Sequence, residues 1–124
     1  MARRQTEGGI QPIEFLPLSN PEFHILLAIA DSELHGYAIM QEVRESTNGA
    51  IRLGPGTLYR CIQDLSRKGL IEESDRYPAP GEDQRRRYYR LSSMGTRVLS
   101  AEARRLSEVV AIAKSKRVLG RTPS

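Results

Sequence analysis

The stretch GPGTLYRCIQDLSRKGL, residues 54–70, decides the fold of this chain. Its apolar side chains recur at helical spacing and predict one buried face, made of Leu58, Ile62 and Leu65. About half a turn away lies a polar face, made of Arg60, Gln63 and Arg67. Gly69 stands where a left-handed C-cap residue belongs, so the helix should end there. Such a basic outer face raises the question of which anionic partner it contacts.

Strand-like runs lie on both sides of this helix. The short IRL at 51–53 predicts one brief strand before it. After it, LIEES at 70–74 and RRRYYRLS at 85–92 predict a β-hairpin, because the prolines and glycine between them exclude regular structure. Alternation along the second run predicts a core face, Tyr89 and Leu91, and an outer face, Arg86, Tyr88 and Arg90.

Two helices are predicted upstream. In SNPEFHILLAIADSEL, residues 19–34, Asn20 suits the N-cap and Pro21 the first helical position. The apolar stripe expected there consists of Phe23, Leu26, Leu27 and Ala30. A second helix is predicted within HGYAIMQEVRESTNG, residues 35–49, and its final Asn-Gly pair should stop it.

A last helix should run from an N-cap at Ser92 to about Leu119. Its apolar residues repeat roughly every 3.5 positions, which is typical of a seam between two helices. The seam consists of Leu99, Ala103, Leu106, Val110 and Ala113. We expect a homodimer, because a helix of this length extends beyond the rest of one protomer. The alternative is that the seam packs back on its own protomer.

The order helix, helix, brief strand, helix, hairpin, helix predicts a mainly α fold with a small β-hairpin. It is that of a winged helix-turn-helix followed by a long C-terminal helix. We expect residues 1–19 to form a mobile arm and 20–91 the winged-helix domain. Residues 92–119 should form the dimerisation helix and 120–124 a frayed tail.

Composition narrows the function classes. A chain of 124 residues with 39% hydrophobic content suits one compact domain. No apolar run approaches the roughly 20 residues of a membrane span, and a single cysteine favours a reducing cytoplasm. His24, His35 and Cys61 lack metal-ligand spacing, and no phosphate-cradling glycine loop or nucleophile elbow is present. We therefore expect neither an enzyme nor a cofactor. Cys61 is expected to be a small buried hydrophobe, with a redox switch as the alternative.

The placement of charge predicts double-stranded DNA as the partner. The net charge is +4, and residues 52–69 hold four basic side chains against Asp64 alone. Residues 84–90 hold four arginines and no acid. A winged helix presents its third helix to the major groove and its wing to the backbone, and this chain concentrates basic groups at both places.

Each candidate DNA contact has a physical reason and an alternative. Arg60 and Gln63 are the candidates for reading base edges, as arginine pairs with guanine and glutamine with adenine. The other candidates are expected at phosphates: Tyr37, Pro55, Gly56, Thr57, Tyr59, Arg67, Arg85, Arg86 and Arg87. The alternatives are packing for the two tyrosines, an ordinary tight turn for the glycine-proline segment, and a solvated basic edge for the wing.

Three segments together resemble a known family. HGYAIMQEV at 35–43, GPGTLYRCIQDLSRKGLIEE at 54–73 and RRRYYRLSSMG at 85–95 are similar to the signature blocks of the PadR family of transcriptional regulators. The resemblance covers about residues 22–119. It implies a DNA-binding winged helix, a homodimer built by the C-terminal helix, and repression relieved by a small molecule or other signal. One hypothesis is a flat hydrophobic effector between the protomers near the seam.

Two functions are therefore carried forward. The first is a dimeric repressor that binds a pseudo-palindromic operator. The second is a winged-helix interaction module that binds an acidic protein with the same surfaces. Sequence preference among DNA duplexes distinguishes the two.

Overall fold

The computed structural model describes residues 9–76, 78–83 and 85–120. The predicted fold class is confirmed: within these residues, helices predominate and one small antiparallel sheet accompanies them. The elements are α1 (Asn20–Ala28), β1 (Leu34–His35), α2 (Gly36–Ser46), α3 (Pro55–Arg67), β2 (Ile71–Glu73), β3 (Tyr88–Leu91) and α4 (Ser93–Ser115). The order of strands in the sheet is β1-β3-β2.

The core lies around α1, which contacts α2, α3 and α4. The predicted stripe of α1 is wrong in part, since Leu27 is 44% exposed while Ile25 and Ile29 are buried. A helix enclosed on several sides buries more than one stripe, so periodicity alone could not locate its inner faces. The predicted face of α3 is confirmed, as Leu58, Ile62 and Leu65 are all buried in the core.

Local signals predicted most helix ends, with two corrections. Ser19, not Asn20, caps α1: its hydroxyl accepts the Glu22 N–H at 3.2 Å, and the Glu22 carboxylate accepts the Ser19 N–H at 3.2 Å. The predicted cap at Ser92 is confirmed, and Gly69 has a φ of 78° just beyond α3. α4 ends earlier than expected, at Ser115.

The third strand of the sheet is not where the sequence placed it. Residues 51–53 form no strand, and Leu34–His35 pairs with β3 instead. The backbone N–H of Ile51 donates to the Thr47 hydroxyl at 3.1 Å, which fastens this segment to the end of α2. A side-chain acceptor therefore takes the donor that a strand would have used.

The N-terminal segment is folded from Pro12 onward, which contradicts the expectation of an arm through residue 19. Pro12–Phe15 forms a turn of 3-10 helix that contacts α4. Phe15, Leu16 and Leu18 pack against the core. Residues 1–8 of the expected arm and 121–124 of the expected tail lie outside the described residues.

Candidate nucleic-acid interface

The outer face of α3 is exposed, as its sequence predicted. Arg60 and Gln63 are exposed one turn apart, while the opposite face of the helix is in the core. With Tyr59 they border a shallow groove of about 500 Å³ that continues onto β2 and β3 through Glu73 and Tyr89. The two candidates for base recognition thus lie together, beside the wing.

The first turn of α3 leaves backbone donors free of the helix. Its N-cap, Gly54, has no side chain to cap it, and the first intrahelical bond is donated by Leu58 to the Gly54 carbonyl at 2.9 Å. The N–H groups of Gly56 and Thr57 precede that bond. Positive partial charge at a helix N-terminus favours an anion there.

The glycines of this turn are not required by the protein's own geometry. Gly54 has a φ of −76°, which any residue adopts, and Gly56 is likewise absent from the positive-φ positions. A Cβ added to either would meet no atom within 4 Å. The tight-turn alternative is thereby weakened, because neither backbone conformation nor internal space demands glycine here.

The basic residues at the end of α3 have acidic partners. Arg67 pairs with Asp64 at 2.7 Å, within the helix. Lys68 pairs with Glu22 of α1 at 3.0 Å, and the Lys68 ammonium together with the Ser19 hydrogen bonds lowers the pKa of Glu22 despite its burial. The positive charge counted in residues 52–69 is therefore concentrated toward Arg60 and Arg52.

The wing arginines are also paired, which corrects the expectation of an uncompensated basic run. Their carboxylate partners come from Asp83 and from the facing strand and turn. The pairs are Arg85–Asp83 at 3.2 Å, Arg87–Glu73 at 3.2 Å, Arg90–Glu72 at 3.0 Å and Arg90–Glu33 at 3.9 Å. Arg86 instead places Nη1 3.2 Å from Nε2 of His35.

A cleft of about 500 Å³ joins the start of α2, the outer face of α3 and the wing. Tyr37 and Tyr59, 54% and 51% exposed, line it together with the arginines of the wing. The Tyr37 hydroxyl accepts a hydrogen bond from the Gln41 amide at 3.4 Å. Packing under α3 does not describe Tyr37, whose side chain lies at the surface beside the basic wing.

Tyr88 corrects the alternation predicted for β3. Tyr89 and Leu91 pack against the core as expected, yet Tyr88 on the other face is only 3% exposed. The wing loop covers it: the Arg76 guanidinium lies 4.3 Å from its ring centroid, and its hydroxyl donates to Glu82 at 3.0 Å. A strand face turned away from the core is thus buried by a loop.

His35 connects this covered face to α2, in a role that sequence reasoning left as ordinary packing or capping. Its Nδ1 accepts the Ala38 N–H at 3.2 Å and caps α2. Its ring meets the Tyr88 ring edge-on at 5.3 Å between centroids. Burial, and then the Arg86 guanidinium, lower the pKa of His35 and favour the neutral ring that capping needs.

The predicted dimer seam on α4 divides into two parts. Leu99 is 8% exposed and belongs to the core of its own protomer, so it is not a free seam residue. Val110 is 45% exposed, Ala103 is exposed, and Leu106 and Ala113 are partly covered. Val109 and Ile112, which the seam omitted, are 49% and 56% exposed.

The structure assigns Cys61 no special chemistry. The thiol is half-buried, and burial, followed by the nearby Glu22 carboxylate, raises its pKa. A raised pKa reduces the thiolate fraction on which redox reactivity depends. Among the described residues, His, Cys, Asp and Glu form no group of three that could hold a metal ion. In the same part of the chain, no helix combines the length and apolar character needed to cross a bilayer.

Comparison with known proteins identifies the family. The model of the transcriptional regulator PadR-like family matches residues 25–101. The chain belongs to this family. The resemblance seen in the sequence is therefore confirmed, and so is the expectation of a transcriptional regulator in place of an enzyme.

Individual relatives agree with this family. The chain is 36% identical over 86 residues to transcriptional regulator Rv3488 of Mycobacterium tuberculosis, covering 69% of this chain and 75% of that one. A PadR family transcription regulator from Clostridium difficile has a TM-score of 0.67 at 22% identity, covering 78% and 97% of the two chains. Bacillus subtilis PadR, in a complex with operator DNA, has a TM-score of 0.58 at 22% identity, covering 68% and 47%. Both structural likenesses concern the winged-helix fold.

Proposed function

We propose that this PadR-like regulator binds a specific double-stranded DNA sequence as a homodimer and represses transcription there. The observation that carries the proposal is the two-sided α3. One side is anchored in the core, and the other offers Arg60 and Gln63 beside a basic wing. That the related fold of Bacillus subtilis PadR is found with operator DNA supports the same use of these surfaces here.

In this proposal α3 lies in the major groove. Arg60 and Gln63 contact base edges, since a guanidinium matches guanine O6 and N7 and a primary amide matches adenine N6 and N7. Thr57 and the amides of the first turn contact a phosphate, and Gly56 and Pro55 leave room for the sugar-phosphate chain. Arg67 shares its charge with Asp64 and contacts the backbone at the far end.

The wing and the start of α2 contact the flanking backbone. Arg85, Arg86 and Arg87 border the same cleft as Tyr37 and Tyr59, so guanidinium and phenol donors converge on one edge of α3. Phosphate oxygens accept from both kinds of donor. These contacts add affinity for any sequence and make binding depend on salt.

The second half of α4 supplies the dimer contact. Ala103, Leu106, Val110 and Ala113 form the proposed seam, with Val109 and Ile112 beside it. A two-fold dimer places two α3 helices on half-sites separated by about 34 Å or a multiple of it, which requires a pseudo-palindromic operator.

A small hydrophobic effector would act close to this seam. A groove of about 390 Å³ lies between the N-terminal segment and α4, with an apolar wall formed by Ile13, Leu16 and Pro17. Arg104 and Arg105 stand at its margin. A ligand there would bear directly on the helix that joins the protomers.

Replacing Arg60 and Gln63 by alanine tests the proposal. Operator fragments are first selected from genomic DNA by the wild-type protein, and the dissociation constants for operator and unrelated duplex are then measured. Arg60→Ala and Gln63→Ala should each lower the ratio of specific to unrelated affinity, because each removes about 1–3 kcal/mol of discrimination. Affinity for the unrelated duplex should change little.

The matched control is Arg85→Ala with Arg87→Ala. This pair should weaken binding to both duplexes alike and reduce the salt slope by roughly 0.9 for each phosphate that the protein no longer neutralises. If the wild-type protein shows no preference for any duplex at low salt, the proposal is wrong. The same surfaces would then suit an acidic protein partner.

A further inference from the structure

Gly36, the first residue of α2, lies directly beneath the phenol ring of Tyr59. A Cβ built on Gly36 would overlap the Tyr59 hydroxyl oxygen, and would lie 2.9 Å from Cζ and 3.1 Å from Cε1. Gly36 is buried and is not among the positive-φ glycines. Glycine is needed at this position because of space and not because of backbone conformation.

The contact stands where three parts of the candidate interface meet. β1 ends at His35, beside Arg86 of the wing, and α2 begins at the next residue. Tyr59 comes from α3, one residue before Arg60, and its ring crosses to the start of α2. Both Gly36 and Tyr59 line the cleft that the wing arginines border.

We propose that Gly36 is a positioning residue, whose missing side chain forms the seat that fixes the direction of the Tyr59 phenol in the DNA-facing cleft. This inference rests on the proposed function for its consequence in DNA binding. The atoms that a methyl group would strike are the far end of one side chain and not backbone. A methyl group at Gly36 therefore displaces the ring while leaving α2 packed on α3.

Stability and DNA affinity should consequently respond in different ways to Gly36→Ala. Alanine favours the helical backbone more than glycine does, so the Tm should stay the same or rise. Affinity for the operator should fall roughly five- to tenfold, as expected when a single hydrogen bond is removed. A role in folding alone would lower the Tm and leave the affinity of the folded fraction unchanged.

A double-mutant cycle assigns the effect to Tyr59. Gly36→Ala and Tyr59→Ala should weaken operator binding to a similar degree, and the double variant should bind no worse than Tyr59→Ala. Tyr37 provides the matched control, because it is equally exposed in the same cleft: Gly36→Ala with Tyr37→Ala should give multiplied losses. The inference is overturned if Gly36→Ala binds as the wild type does, if its loss multiplies with that of Tyr59→Ala, or if its Tm falls sharply.

Nitration by tetranitromethane tests the seat without DNA. The reagent attacks the ring carbons next to the hydroxyl, and Cε1 of Tyr59 is one of the atoms that face Gly36. Gly36→Ala should raise the nitration rate of Tyr59 relative to that of Tyr37 in the same molecule, as measured by mass spectrometry. An unchanged ratio contradicts the inference whether or not DNA binds. A raised ratio in a protein that binds no duplex supports the seat and contradicts the proposed function.

Discussion

Glu102 is a charged side chain with 1% of its surface exposed, and both of its carboxylate oxygens have partners. Oε1 accepts from Nε of Arg105 at 2.6 Å, and Oε2 accepts from Nη2 of Arg105 at 3.0 Å. Oε2 also accepts the backbone N–H of Leu18 at 2.9 Å. The hydrogen bonds from Arg105 lower the pKa of Glu102 against the opposing effect of its burial. An ionised carboxylate therefore fastens the N-terminal segment to α4.

Glu102→Gln should destabilise the protein in a pH-dependent way. At neutral pH the free energy of unfolding should fall by about 1–3 kcal/mol, because the amide cannot accept from Leu18 and Arg105 as the carboxylate does. A carboxylate whose pKa is lowered by folding contributes its stability above the unfolded pKa and loses it as pH falls through the folded pKa. The difference between wild type and variant should thus shrink below about pH 4.5.

Denaturant unfolding at pH 7 and at acidic pH measures both quantities. Glu108→Gln on the exposed surface of the same helix is the control, and it should change stability little at either pH. A difference for Glu102→Gln that stays constant across the pH range would contradict the proposed ionised anchor.

At the scale of elements, α4 changes character along its length. Its first half supplies Val98 and Leu99 to the core, whereas Val109, Val110 and Ile112 of its second half are exposed. At 1.5 Å per residue, its 23 residues span about 34 Å. A helix of this length exceeds what a small core can cover, which leaves apolar surface suited to a second copy.

Val110→Glu should dissociate the proposed dimer, because a buried seam would have to accept an unpaired charge. Analytical ultracentrifugation should give a dimer for the wild type and a monomer for the variant at micromolar concentration. Operator affinity should fall with it, since a monomer contacts one half-site. Ala111→Glu adds the same charge at an exposed neighbouring position off the seam and should remain dimeric. A wild-type monomer would contradict the assignment of the seam.

At the scale of the whole molecule, acidic groups restrain the basic surface. The net charge is only +4, and carboxylates lie within 4 Å of Arg67, Lys68, Arg85, Arg87 and Arg90. A carboxylate beside a DNA-facing arginine competes with phosphate for it. Such pairing lowers the affinity for DNA of any sequence and leaves a larger share of binding to the base contacts.

Glu73→Gln should strengthen binding to unrelated duplex by roughly two- to fivefold at low salt, the range expected for one exposed ion pair. Glu73 pairs with Arg87 and borders the groove beside Gln63. Glu72→Gln is the matched control: it removes the same charge from the adjacent residue, whose partner Arg90 lies on the opposite face of the strand. Fluorescence anisotropy titrations measure both. Equal gains for the two variants would mean that only net charge matters.

Local patterns in the sequence were sufficient for much of this molecule. The apolar spacing of Leu58, Ile62 and Leu65 fixed the buried face of α3, and therefore which side chains face outward. The cap at Ser92 and the stop at Gly69 depend on one side chain or one backbone conformation each. These features are encoded within one or two turns of chain, so they can be read without knowledge of the rest.

What the sequence by itself determined is the class of fold, the two-sided α3 and the family that uses it. The tertiary structure decided which charges are compensated and which side chains are held in place. Lys68 meets Glu22 across 46 positions, Arg87 meets Glu73, and Tyr59 rests on Gly36. The physical reason is that periodicity and caps arise from neighbours along the chain, whereas ion pairs and steric seats arise between elements that only the folded core brings together.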